Sequence, residues 1–167
     1  KNLVDLQAKV LEVGADLGLA FDGDADRCFA VDEKGEAVSP SAVAAIVSKR
    51  EIERVKALGE SDIVVLHNLL TSKSVEEIIV SSGAKPVRTK VGHSLIKDQM
   101  ALTDAVFGGE HSAHYYFRDF WGADNGMLAA LHLISELGSN VAPMSEISSN
   151  HTPYFSSGEI NSTVEDR

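Results

Sequence analysis

The sequence predicts an α/β protein in which helices cover the faces of a layered sheet. Two observations carry that expectation. Short apolar or β-branched runs alternate with amphipathic stretches along most of the 167 residues, and turn residues separate them. The polar clusters that could carry chemistry fall in loops after strand-like runs, where ligand groups gather in such folds.

The elements follow in order. "VDLQAKVLEVGADLG" (residues 4–18) reads as a helix. "LGLAF" (17–21) and "CFAVD" (28–32) read as strands flanking an acidic loop. "DEKGEAV" (32–38) reads as a tight turn with Gly35 at its tip. Ser39 and Pro40 offer an N-cap and a first-turn proline. "SAVAAIVSKREIERVKAL" (41–58) is then a helix closed by Gly59. "DIVVLHN" (62–68) is a buried strand, and "SKSVEEIIVSSG" (72–83) a helix ending at Gly83. "KPVRTKV" (85–91) is a strand and "SLIKDQMALTD" (94–104) a helix. "AVFGG" (105–109) is a strand end entering a loop, "SAHYYF" (112–117) another strand, and "ADNGMLAALHLISELG" (123–138) a helix stopped by Gly138. Beyond Gly138 the chain is polar, rich in Ser and Asn and weakly periodic, so it reads as a linker.

An apolar content of 44% and a charged content of 24% are those of a soluble globular protein. No apolar run is long enough to span a bilayer. The net charge of −10 opposes nucleic-acid binding, because phosphate backbones are repelled. Anionic small substrates stay compatible where a metal or local cations offset the charge. The single cysteine, Cys28, excludes an internal disulfide and fits a reducing cytoplasm. It lies in an apolar run and reads as a packing thiol. The first residues show neither an initiator Met nor a signal pattern, as expected of a trimmed or internal segment.

"FDGDADR" places Asp22, Asp24 and Asp26 at alternate positions, with Arg27 next. Carboxylates crowded in this way tolerate one another around a hard cation that takes oxygen ligands. A solvated acidic turn is the plain alternative, and the apolar flanks argue against it. The EF-hand template fails, because Arg27 stands where that loop needs glycine and the flanks are strand-like. A haloacid-dehalogenase-like phosphatase opens similarly, but Asp26 stands where it keeps Thr or Val, and "GADNG" is a poor match to its acidic pair.

"FDGDADR" resembles the metal loop of the α-D-phosphohexomutases, the family of phosphomannomutase and phosphoglucomutase. "TKVGHSLIK" (89–97) and "GGEHSAHYYF" (108–117) resemble that family's later substrate loops, in the right order. "SSGEIN" (156–161) resembles the opening of its last domain. The resemblance covers essentially the whole chain and is greatest to bacterial phosphomannomutases. It implies residues 1–34 as the end of a second domain that carries the metal loop. Residues 35–140 would be a third, sugar-binding domain with a mixed sheet and flanking helices, and 141–167 a linker and the start of a fourth. The family's phosphorylated serine sits in a "TASHNP"-like loop, and these residues contain none. The chain by itself is therefore expected to be inactive.

The implied reaction interconverts hexose 6-phosphates and hexose 1-phosphates, mannose first and glucose second, through a phosphoserine and a hexose 1,6-bisphosphate intermediate. Phosphoglucosamine mutase is the alternative within the family. A phosphatase and a non-catalytic metal-binding module stand outside it. The implied cofactor is Mg²⁺ on Asp22, Asp24 and Asp26, and the implied partners are the hexose phosphate and the remaining domains.

Arg27 carries a planar charged fork suited to phosphoryl oxygens, or to a salt bridge that holds the aspartates. Glu110, Ser112 and His114 alternate, so in an extended loop they point the same way, with His111 facing away. The resemblance makes Glu110 and Ser112 sugar contacts. His114, whose imidazole can give or take a proton, is a candidate general acid or base. Ala113 replaces the family's usual glycine. His93 and Lys90 are the further substrate-binding candidates. The aromatic run Tyr115, Tyr116, Phe117, Phe120 and Trp121 reads as core or interface packing.

Overall fold

The computed structural model describes residues 3–155 and Gly158. Helix α1 (Val4–Val13) leads into a three-stranded antiparallel sheet of β1 (Leu17–Phe21), β2 (Cys28–Asp32) and β3 (Ala37–Val38). There follow α2 (Pro40–Ala57), β4 (Val64–Asn68), α3 (Lys73–Ser81), β5 (Lys85–Thr89), α4 (His93–Thr103), β6 (Phe107–Gly109) and β7 (Tyr115–Phe117). A 3₁₀ turn (Arg118–Phe120) precedes β8 (Ala123–Asp124), α5 (Gly126–Ser139) and α6 (Met144–His151). The second sheet has the order β5-β4-β6-β7-β8. β4 runs parallel to β5 and β6, whereas β6, β7 and β8 are antiparallel. The sheet is mixed, as expected, and no described helix is long and apolar enough to cross a membrane.

Both faces of this sheet are covered. Val65 and Leu66 are adjacent and fully buried, yet they belong to different clusters. Val65, Phe107 and Tyr115 pack with α2, α3, α5 and α6. Leu66 and Tyr116 pack with Ile96 and Met100 of α4. Strand alternation thus sorts neighbouring residues into two layers.

Helix α2 is the central element. Ser39 caps it, its hydroxyl accepting from Ser41 N–H at 3.3 Å, and Pro40 is its first residue. Every residue from Ser41 to Ser48 is buried. Small side chains let the helix lie close to the sheet: a Cβ on Gly109 would stand 2.7 Å from the Cβ of Ala44.

Several boundaries differ from the sequence reading. The first helix stops at Val13, where Gly14 adopts a left-handed conformation (φ 64°). After the turn at Gly35, Ala37 and Val38 pair with β2. The stretch from Ala123 opens as strand, and helix α5 starts at Gly126 and runs one residue past Gly138. The expected linker is helical at 144–151. Met144 and Ile147 are one turn apart and buried, which fixes α6 on the core despite its polar composition. Glu33, next to β2, caps this helix from across the fold, accepting from Ser145 N–H at 3.0 Å and Ser145 Oγ at 2.5 Å. Tyr115, Tyr116 and Phe117 are core, one of the two places expected for the aromatic run, and Trp121 is 88% exposed. Cys28 is buried, and burial pushes its thiol up to about 12.

Candidate active site at the meeting of two loops

The aspartate loop joins β1 to β2, so its flanks are strands. Asp22 closes the loop on itself. Its Oδ1 accepts from Arg27 N–H at 3.2 Å, and its Oδ2 from Arg27 Nε at 2.6 Å. Arg27 is thus a salt-bridge partner of the aspartates, as one of its two readings expected. Its terminal nitrogens make no hydrogen bond to a described residue. Asp22, Asp24 and Asp26 each offer a carboxylate oxygen within 4.8 Å of the others. Asp26 Oδ1 is buried without a hydrogen bond, 3.8 Å from Arg27 Nε.

The carboxyls are not equivalent. Burial works against the charge of Asp22, but hydrogen bonds from Arg27 outweigh it and hold its pKa below the ordinary aspartate value. Burial, and then the contact of its carboxyl with that of Asp22 and the negative charge there, push Asp26 above that value. A cation among the three would supply what Asp26 lacks.

The Glu110 loop joins β6 to β7 by a tight turn. Ala113 N–H donates to Glu110 O at 3.2 Å, and Glu110 N–H to His114 O at 3.0 Å. Glu110, Ser112 and His114 are brought together as expected, but by this turn rather than by extended alternation. Ser112 Oγ lies 2.9 Å from His114 Nδ1, and Glu110 Oε2 lies 3.6 Å from the same nitrogen. Ala113 takes the turn's left-handed position at φ 69°, which costs a residue with a Cβ roughly 1–2 kcal/mol. His111 bonds instead to Ser41 Oγ at 2.9 Å.

The two loops meet edge to edge. Arg27 and His114 form an isolated antiparallel bridge, and Cys28 N–H donates to Ala113 O at 3.3 Å. His114 Nε2 comes within 3.9 Å of Asp26 Oδ2.

A third segment, which sequence reasoning missed, completes the junction. Asp124 lies with Asp26 and His114 in a second group of ligand atoms within 4.8 Å. Lys97 Nζ sits 2.9 Å from Asp124 Oδ1 and 5.8 Å over the Tyr116 ring. Asn125 caps α5, accepting from Leu128 N–H at 2.9 Å. Gly126 N–H donates to Ala25 O at 3.0 Å, and a Cβ at Gly126 would lie 2.5 Å from Arg27 O. The signal was the dipeptide Asn125-Gly126, a cap followed by a residue that permits close approach.

Lys90 is exposed just past β5, without a hydrogen bond or ion pair among the described residues. It stands at the same end of the sheet as the Glu110 loop, since Asn68 pairs with Thr89 and His67 with Gly109. His93 is the first residue of α4, and its side chain lies outside the described residues, as does Ser156–Asn161 apart from Gly158.

The family profile "Phosphoglucomutase/phosphomannomutase, alpha/beta/alpha domain III" matches residues 39–155, and the domain II profile matches residues 1–35. The chain belongs to the phosphoglucomutase/phosphomannomutase family. Among the relatives, a phosphomannomutase of Salmonella montevideo is 36% identical over 164 residues, covering 96% of this chain and 34% of its own. A Xanthomonas campestris protein named "Phosphohexose mutases" is 38% identical over 166 residues, covering 97% and 36%. A crystal structure of a phosphoglucomutase/phosphomannomutase family protein from Burkholderia thailandensis superposes with a TM-score of 0.78 at 28% identity, covering 87% of this chain and 31% of that one. The chain thus spans about a third of the length of these phosphoglucomutase/phosphomannomutase relatives.

Proposed function

We propose that this chain is the metal-loop and sugar-loop portion of a phosphohexomutase that interconverts hexose 6-phosphates and hexose 1-phosphates, with mannose preferred and glucose next. The observation that carries the reading is the Arg27–His114 bridge, which fixes three carboxylates beside the Glu110 loop in a chain of this family. Residues 1–34 close the second domain, and the third runs from residue 35 through α6, which packs on α2.

The donor set fits Mg²⁺: three aspartates each offer a carboxylate oxygen at short range, and Asp26 also has an oxygen that is buried and unpartnered. Asp22, Asp24 and Asp26 would hold it. When bound, Mg²⁺ supplies Lewis-acid charge at phosphoryl oxygens. Arg27 holds Asp22 in place and keeps its terminal nitrogens for a phosphoryl oxygen. Glu110 and Ser112 receive sugar hydroxyls. His114, between Asp26 and Glu110, is the group placed to move a proton at the reacting hydroxyl. Lys90 and His93 lie at the sheet end where the phosphosugar enters. The phosphoserine comes from the remaining domains, and the reaction passes through a hexose 1,6-bisphosphate. Each transfer is governed by positioning and charge neutralisation.

Kinetics of the full-length protein on the 6-phosphates of mannose, glucose and glucosamine test the reading. Mg²⁺-dependent isomerisation of mannose and glucose phosphates is expected. Preference for glucosamine phosphate would move the assignment to a phosphoglucosamine mutase. Release of inorganic phosphate without isomerisation would make it a phosphatase, and no turnover would leave a metal-binding module.

A further inference from the structure

Glu110 is 2% exposed, and no cation among the described residues reaches its carboxylate at hydrogen-bond distance. Two neutral groups hold it instead. Asn68 Nδ2 donates to Oε1 at 3.1 Å, and the Tyr116 hydroxyl donates to Oε2 at 3.0 Å. Both holders are themselves fixed. Asn68 ends β4 and is fully buried, and its Oδ1 accepts from Leu70 N–H at 3.1 Å, which turns its amino group toward Glu110. Tyr116 is fully buried, pairs with Gly108 and Asp124 across the sheet, and carries Lys97 over its ring.

A carboxylate can accept about four hydrogen bonds, two on each oxygen. Here one position on each oxygen is taken. One remains on each, at a spacing and direction that the two holders set. Two acceptors spaced by a carboxylate match two hydroxyls on adjacent ring carbons. Because both holders are neutral, they orient the carboxylate without cancelling its charge, which is left for the incoming hydroxyls. Burial, and then the charge of Glu110, push the Tyr116 phenol well up, so it stays a donor.

We propose that Tyr116 and Asn68 are positioning residues that aim Glu110 at a pair of adjacent sugar hydroxyls and so decide which hexose epimers the site accepts. This rests on the mutase reading. Without its holders the carboxylate swings between rotamers, so binding and epimer choice suffer before the chemical step does.

The test is steady-state kinetics of the full-length protein and its Tyr116→Phe variant. The substrates are glucose 6-phosphate and its single epimers at C2, C3 and C4 (mannose, allose and galactose 6-phosphates). The expected result is a KM raised about tenfold for the preferred hexose with kcat changed less than about twofold. Discrimination against at least one epimer falls about tenfold. A Tyr116→Phe/Glu110→Gln double variant is no worse than Glu110→Gln alone, because Tyr116 acts through Glu110. Asn68→Ser gives the same pattern and serves if Tyr116→Phe does not fold. Equal loss of kcat/KM for all four hexoses, or additive effects in the double variant, would overturn the proposal. Unchanged discrimination in an active enzyme sinks the positioning role alone, whereas an inactive wild type sinks the mutase reading and this proposal with it.

Discussion

The backbone of Arg27 pairs with that of His114 in an isolated bridge, so the aspartate loop and the Glu110 loop share one short edge. Anything that moves one loop moves the other. This makes the three aspartates and the Glu110, Ser112 and His114 loop a single mechanical unit.

Metal affinity is expected to depend on all three aspartates. Titration calorimetry with Mg²⁺ or Mn²⁺ on the full-length protein should show affinity falling at least tenfold in Asp24→Ala, because one of three anionic oxygen ligands is lost. Unchanged affinity would remove the aspartate loop as the metal site.

Gly126→Ala should damage the aspartate loop from outside it. The new Cβ would fall 2.5 Å from Arg27 O and 2.9 Å from Ala25 O, and backbone cannot swing aside as a side chain can. A loss of about 1–3 kcal/mol in urea denaturation is expected, together with weaker Mg²⁺ binding. Wild-type stability in this variant would mean that α5 has room to retreat from the loop.

Acid should weaken the fold through Glu51. Its carboxylate is buried in α2, and burial opposes its charge, but hydrogen bonds from His132 and Arg54 outweigh that and lower its pKa to about 2. A depressed folded-state pKa stabilises above the unfolded value, near 4.5, and the gain is lost as pH falls toward 2. Denaturation curves from pH 6 to pH 2 should show wild type losing on the order of 3 kcal/mol more than Glu51→Gln over that window. Parallel curves for the two proteins would place the acid sensitivity elsewhere.

Cys28 should ignore thiol reagents in the native state. It is 1% exposed and its thiol is pushed up to about 12, so thiolate is scarce and shielded at neutral pH. A chromogenic disulfide reagent should label it only after denaturant is added. Fast native labelling would show that the start of β2 opens readily.

Much of this was legible in the sequence, for identifiable reasons. Ser39-Pro40 announced α2 because capping is local chemistry, and the aspartate triplet announced itself because crowded like charges need an explanation. Asp124 was hidden, because the apolar periodicity of α5 made the residues before it look helical, whereas β8 pairs with β7 some eight residues back in the chain. Asn68 and Tyr116 were hidden for another reason. Their link to Glu110 is made by strand order, since β4 and β7 both flank β6, and no periodicity in one segment reports its neighbours in a sheet. Helix α6 escaped because two buried side chains, Met144 and Ile147, suffice to hold it.

The Glu33–Ser145 contact has a kinetic consequence. It joins residues 112 apart in sequence, so closing it early would confine most of the chain in one large ring for the return of two hydrogen bonds. The contact becomes favourable once α2 and the sheet already hold the ends near each other. Glu33 is therefore expected to act as a latch on α6 that closes late in folding and opens early in unfolding.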